Sequence, residues 1–295
     1  VIYAKAEALL QQQELAWAAP GASGSQHWST GPAATLSEAA APSWTGAAED
    51  ARVEATLRQW AIPVALALAW LAVRVNGLHA MMRIFLSMWL HEFSHAITAW
   101  FCGFIAIPGA WKTLVPEDRS PFFAVFVAAG LVALGVRAKR ANRDWIAVVC
   151  GGGLLLQAIG TLLLRPTTAH ALITFGGDAG MMILGTLLIT TVYAPEGGAI
   201  RTGWLRWGFL VIGAAALADG FDTWWGARTN IDRIPFGENE GVGLSDPSKL
   251  VDQMGWTVPQ LVGRYVTVGC VCLAALAVVY VIGLRAARKR LSEAV

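Results

Sequence analysis

The sequence predicts an all-α fold, a polytopic transmembrane helical bundle of about six to seven spans. Three observations carry that expectation. Of 295 residues, 56% are hydrophobic and only 14% are charged. The apolar residues gather in long blocks instead of at the spacing of one amphipathic face. No block shows the in-out alternation of a barrel strand, and backbone polar groups in lipid need partners within their own segment, so helices are the consistent reading.

Taken in order, residues 1–60 read as an extramembrane part. The stretch VIYAKAEALLQQQELAWA, residues 1–18, reads as a helix, and residues 20–50, rich in Ala, Gly, Ser and Pro, as a flexible linker. No charged stretch precedes an apolar one at the start, so no secretory signal peptide is expected. Residues 61–295 form the transmembrane domain, with apolar blocks at about 61–75, 82–103, 121–136, 145–164, 171–193, 204–221 and 265–284. A helical span takes roughly 20 residues, and two blocks are short, hence six to seven. No internal repeat is visible.

Charge reports orientation more than partners. The net charge is +2, and the basic residues form no single patch or stripe, which argues against nucleic acid. Arg137, Lys139, Arg140 and Arg143 crowd one loop, and Arg285, Arg288, Lys289 and Arg290 follow the last block, so both regions are expected on the cytoplasmic side. Residues 222–263 carry net −3 and are expected on the other side, folded over one mouth of the bundle, with Trp224, Trp225 and Trp256 as interfacial anchors. Abundant Ala, Gly and Trp with compact loops suits a bacterial inner membrane. Cys102, Cys150, Cys270 and Cys272 lie in or beside apolar blocks and read as packing residues, not a disulfide framework.

The stretch MWLHEFSHAITAW, residues 88–100, is where chemistry enters. His91 and His95 lie one helical turn apart on one face and can reach a single metal ion. Glu92 sits beside the first histidine, placed to take a proton from a metal-bound water. This is the H-E-x-x-H arrangement of zinc hydrolases, in which zinc lowers the pKa of water and polarises a carbonyl. Chance produces it in roughly one chain of this composition in a few hundred. A charged residue at mid-bilayer costs about 2.5–3.5 kcal/mol on insertion scales, so the cluster calls for a function. The bland alternative is a polar contact that glues helices together.

Catalytic zinc usually has three protein ligands. Asp178, the one acid in the block 171–193 and flanked by glycines, is the leading candidate; the alternatives are a helix-cap role for Asp178, or Asp219 as the ligand instead. Gln157, on a helix bearing Gly151, Gly152 and Gly153, offers an amide to a substrate backbone or developing oxyanion, or else bonds a neighbouring helix. His170 reads as a surface residue, and His27 and His79 have no chemistry around them.

Across about residues 82–193 the chain resembles the site-2 proteases, a family of intramembrane zinc metalloproteases. The resemblance rests on HEFSH in an apolar helix, a glycine-rich helix carrying an amide, and a helix whose aspartate follows the second histidine by 83 residues. It implies zinc held by His91, His95 and Asp178, Glu92 as general base, and Gln157 in the place of the family's substrate-binding asparagine. It also implies a membrane-spanning protein or peptide as substrate. The family's Leu-Asp-Gly sequence is replaced here by Gly176, Gly177, Asp178 and Ala179, while LADG occurs later, at 217–220. No PDZ-like insert is present. The extra block 121–136 controls topology: if it spans, the HEFSH and Asp178 helices run antiparallel, and if it is re-entrant they run parallel. Two other functional classes stay open, a non-proteolytic metal-binding or transport protein and a zinc hydrolase with a non-peptide substrate.

Overall fold

The long apolar blocks fold as helices. The computed structural model describes residues 46–194, 198, 200, 204–239 and 243–294. The expected helix at 1–18 and nearly all of the linker lie outside the described residues. Helix α1 runs over Gly46–Ala72, and residues 45–295 form one compact unit, so the expected boundary at residue 60 falls inside a continuous helix. Helix α2 (Asn76–Met82) passes through a π-helical turn, Arg83–Ser87, into α3 (Met88–Phe101), which carries HEFSH.

Helices α4 (Pro121–Arg140) and α5 (Asp144–Ala158, extended by the π-helical turn Ile159–Leu163) form an antiparallel hairpin. The start of α4 follows from its sequence: the Ser120 hydroxyl accepts from the Phe123 amide at 3.3 Å and Pro121 occupies the first turn. Its end carries Arg137, Lys139 and Arg140, cations that suit a helix C-terminus. Next come α6 (Pro166–Thr190), α7 (Leu205–Ala227) and an irregular segment with a two-residue hairpin, β1 (Glu238–Asn239) and β2 (Gly243–Leu244). The short helix α8 (Asp246–Ser248) and a π-helical turn, Lys249–Gln253, lead into the last helix, α9 (Val258–Ala294).

Among the described residues, five stretches are long and apolar enough to cross a membrane: Arg52–Ala72, Pro121–Arg140, Asp144–Leu163, Pro166–Tyr193 and Val258–Lys289. The blocks 82–103 and 204–221 are not among them. The first is interrupted by the π-helical turn and leaves α3 only 14 residues, and the second ends in a helix bearing Asp219 and Asp222.

Helix α6 is the pillar of the bundle, with 56% of its most apolar window buried against 6% in α4. It lies antiparallel to α3, since Asp178 meets His91 while Ile173 meets His95. The HEFSH and Asp178 helices are therefore antiparallel, and α4 and α5 are each long enough to span. On its other side α6 packs antiparallel to α7, where Gly185 and Gly213 bring the two backbones into contact. Between apolar helices in lipid there is little hydrophobic driving force, so close packing at small residues has to hold them. Trp224 stacks on Tyr265 at 4.0 Å between centroids and joins α7 to α9, within a cluster that includes Met182, Leu217 and Leu261. Glu54 pairs with Arg206, and the Tyr193 and Tyr280 hydroxyls donate to the carbonyls of Arg58 and Gln59. The N-terminal half of α1 thus sits where α6 ends and α7 begins.

The close approach of α6 and α7 predicts a sharp position dependence. A Cβ on Gly213 would fall 2.5 Å from the Gly185 carbonyl oxygen, whereas one on Gly208 would meet nothing within 4 Å. Gly213→Ala is expected to destabilise the bundle by about 1–3 kcal/mol, and Gly208→Ala to be neutral or to stabilise by up to about 1 kcal/mol. Unfolding in detergent, followed by circular dichroism, checks both.

Candidate metal centre

On α3 the four-residue spacing does what the sequence implies: the His91 and His95 rings lie together, with their Nε2 atoms 3.1 Å apart. Each ring is fixed from behind. His95 Nδ1 lies 2.7 Å from the Ile173 carbonyl oxygen, which can only accept, so Nδ1 carries the proton and Nε2 presents a lone pair. His91 Nδ1 lies 2.9 Å from Asp178 Oδ1, and a carboxylate there selects the same tautomer. Asp178 Oδ2 accepts from Trp224 Nε1 at 2.8 Å, so both of its oxygens are engaged.

This placement differs from the expected ligand set. Asp178 stands behind His91, at the nitrogen that a metal-binding imidazole turns away from the ion. The reason is the depth of contact between the helices: a Cβ on Gly177 would fall 2.5 Å from the His95 ring and 2.6 Å from the His91 ring, so α6 lies directly against the imidazoles. An aspartate one residue later reaches the back edge of His91, not its front.

The front is occupied by Asp246, from the segment between α7 and α9. Its Oδ2 lies 3.1 Å from His91 Nε2 and 2.9 Å from His95 Nε2. The three donors form a nearly equilateral triangle with edges of 2.9–3.1 Å. Zinc bonds of about 2.0–2.2 Å in tetrahedral geometry require edges of about 3.3–3.6 Å. Two nitrogens and a carboxylate oxygen at this spacing fit such an ion after an outward shift of a few tenths of an ångström, and His91, His95 and Asp246 are the metal-ligand group that stands out among the described residues.

The segment that delivers Asp246 is braced. The Ser248 amide donates to Ser245 Oγ at 3.4 Å, the Gly237 amide donates to Ser248 Oγ at 2.9 Å, and Leu250 is fully buried. Pro235, Leu244, Asp246, Pro247, Lys249 and Met254 form one wall of a cavity of about 580 Å³ that also contains His91, Glu92 and His95. Trp224, expected as an interfacial anchor, is instead fully buried as the donor to Asp178.

Glu92 lines the cavity and is 5% exposed. Gln157 does not line it: its amide nitrogen donates to the Ala124 carbonyl at 2.6 Å, tying α5 to α4, the interhelical role that was its alternative. Asp219 is also elsewhere, wholly buried and paired with His79 at 2.8 Å and Arg83 at 3.3 Å. His170, read as a surface residue, lines the cavity with its ring against Phe104. His27 lies outside the described residues.

Comparison with protein-family models, with curated proteins and with solved structures returns no match.

The geometry separates the aspartates by their effect on metal. Purified protein is expected to bind about one zinc per chain. His95→Ala and Asp246→Ala are expected to abolish binding, Asp178→Asn to weaken it by about 10- to 100-fold, and Asp219→Asn to leave it unchanged while lowering stability. Zinc analysis after dialysis against graded chelator checks the order.

Proposed function

We propose that this protein is a membrane-embedded zinc hydrolase that cleaves peptide bonds of membrane-spanning substrates, as the resemblance to site-2 proteases implies. One observation carries the reading: two imidazole nitrogens and one carboxylate oxygen converge within 3.1 Å of one another beside Glu92, in a cavity among apolar helices. A structural zinc site is usually closed by four protein ligands, whereas three leave a position for water or substrate. Bound zinc would supply Lewis-acid polarisation of a carbonyl and a water of lowered pKa.

The protein's own groups do the rest. His91 and His95 are held by Asp178 and the Ile173 carbonyl with their lone pairs forward. Glu92 accepts a proton from the attacking water on its carboxylate and delivers it to the amine that leaves when the peptide C–N bond breaks, so one group serves as base and then as acid. A substrate helix has to unwind locally first, because its amides are otherwise bonded within the helix. The open cavity admits the water that hydrolysis consumes. A glutamate at this place favours hydrolysis over simple metal storage, which needs no base. In this reading α7 also crosses the bilayer, making six spans in a bacterial plasma membrane, while α2 and α3 run in the same direction as α1 and add no further crossing.

Glu92→Gln is expected to keep bound zinc and to lower cleavage of a membrane-spanning peptide in detergent by about 10²- to 10⁴-fold. Mass spectrometry of the products alongside zinc content checks it; full cleavage by Glu92→Gln excludes Glu92 as the base.

A further inference from the structure

The segment between α3 and α4 supplies a group that the HEFSH motif does not contain. Its chain folds back through a bridge between Ile107 and Leu114, with paired amides and carbonyls at 3.0 Å, and this places Thr113 against α3. Thr113 Oγ1 lies 2.7 Å from Glu92 Oε2 and 2.8 Å from the Glu92 backbone carbonyl oxygen. A threonine hydroxyl has a single proton, and of these two acceptors the carboxylate is the stronger. Glu92 Oε1, in contrast, has no protein partner among the described residues and is not sealed from the cavity.

We infer that Thr113 is a positioning residue for Glu92: its hydroxyl pins one carboxylate oxygen so that the other faces the space beside His91 and His95. The inference rests on the proposed reading of the site and adds a residue to it. A glutamate side chain has three rotatable bonds, and a base on a mobile arm spends little of its time within reach of its proton. The contact at 2.7 Å removes that freedom at one oxygen only. Because the hydroxyl donates to Oε2, Oε1 is left to take the proton and give it back, and the bond to Thr113 persists through both transfers. The same hydroxyl cannot be supplied by α3 itself, since Glu92 points away from the helix towards the cavity wall formed by Trp111, Thr113 and Leu114. The neighbouring threonine, Thr98, is committed to the Ser94 carbonyl at 2.8 Å.

The test uses the full chain in detergent and a synthetic membrane-spanning peptide with a helix-breaking Gly-Pro pair in its span. Thr113→Val, which keeps the shape and removes the hydroxyl, is expected to lower kcat about 10- to 100-fold with KM and zinc content unchanged. Thr113→Ser is expected to restore kcat to within about threefold of wild type, which a purely structural role for the methyl group would not allow. A double-mutant cycle on thermal midpoints, using Thr113→Val, Glu92→Ala and both, is expected to be non-additive, because each change removes the same contact. Wild-type kcat in Thr113→Val, loss of its zinc, failure of Thr113→Ser to rescue, or additive midpoints would each overturn the inference. If Glu92→Gln cleaves normally, or if no variant cleaves the peptide, it is the hydrolase reading that fails, and the midpoint cycle still decides whether Thr113 holds Glu92.

Discussion

The contact between α3 and α6 is the constraint on which the site depends. Gly176, Gly177 and Gly180 present no side chain to α3, so the backbone of α6 lies against Thr98, the two imidazoles and Ser94. At that separation the Ile173 carbonyl and the Asp178 carboxylate reach the Nδ1 atoms of His95 and His91. Both rings are thereby held in one tautomer and one orientation. With a bulkier residue at 177 the helices would part, and the histidines would lose the partners that turn their lone pairs outward. Close packing and hydrogen bonding are here the same interaction.

A second constraint follows from placing polar groups in an apolar bundle. His79, Arg83, Ser87, His91 and His95 recur at four-residue intervals along α2, the π-helical turn and α3. A helix presents such a row on one side, and buried polar groups there need partners. Two acids on the neighbouring helices answer it: Asp219 of α7 takes His79 and Arg83, and Asp178 of α6 takes His91. The last turn of the row opens into the cavity with Glu92 beside it. The same economy explains Trp224, whose ring stacks on Tyr265 while its N–H satisfies the second oxygen of Asp178.

The readable parts of this arrangement are the local ones. The pair His91 and His95 is visible because a helix repeats every 3.6 residues, and Glu92 because it adjoins the first of them. Asp178 stands out as an acid within an apolar run, and its glycine neighbours announce a close approach. Its position behind the ring is not visible, since that depends on the offset between two helices and not on either one. Asp246 lies 155 residues beyond His91, in a segment whose composition reads as an acidic loop. Six acids in residues 222–263 look alike in sequence, and only the bracing at Ser245 and Ser248 singles one out. Thr113 gives no signal at all, being one threonine in an irregular stretch. Gln157 misleads for a related reason: an amide on a glycine-rich helix meets a substrate or a neighbouring carbonyl according to which helix packs against it, and here α4 does.

By itself the sequence determined the helical, membrane-spanning class and the pair of histidines with its glutamate, because hydrophobic length and helical spacing are properties of contiguous residues. The tertiary structure decided that α3 and α6 run antiparallel, that Asp178 meets His91 at Nδ1, and that Asp246 lies against both histidines and Thr113 against Glu92. Those facts depend on distances between segments far apart in the chain, which helix packing and a braced loop establish and no local pattern encodes.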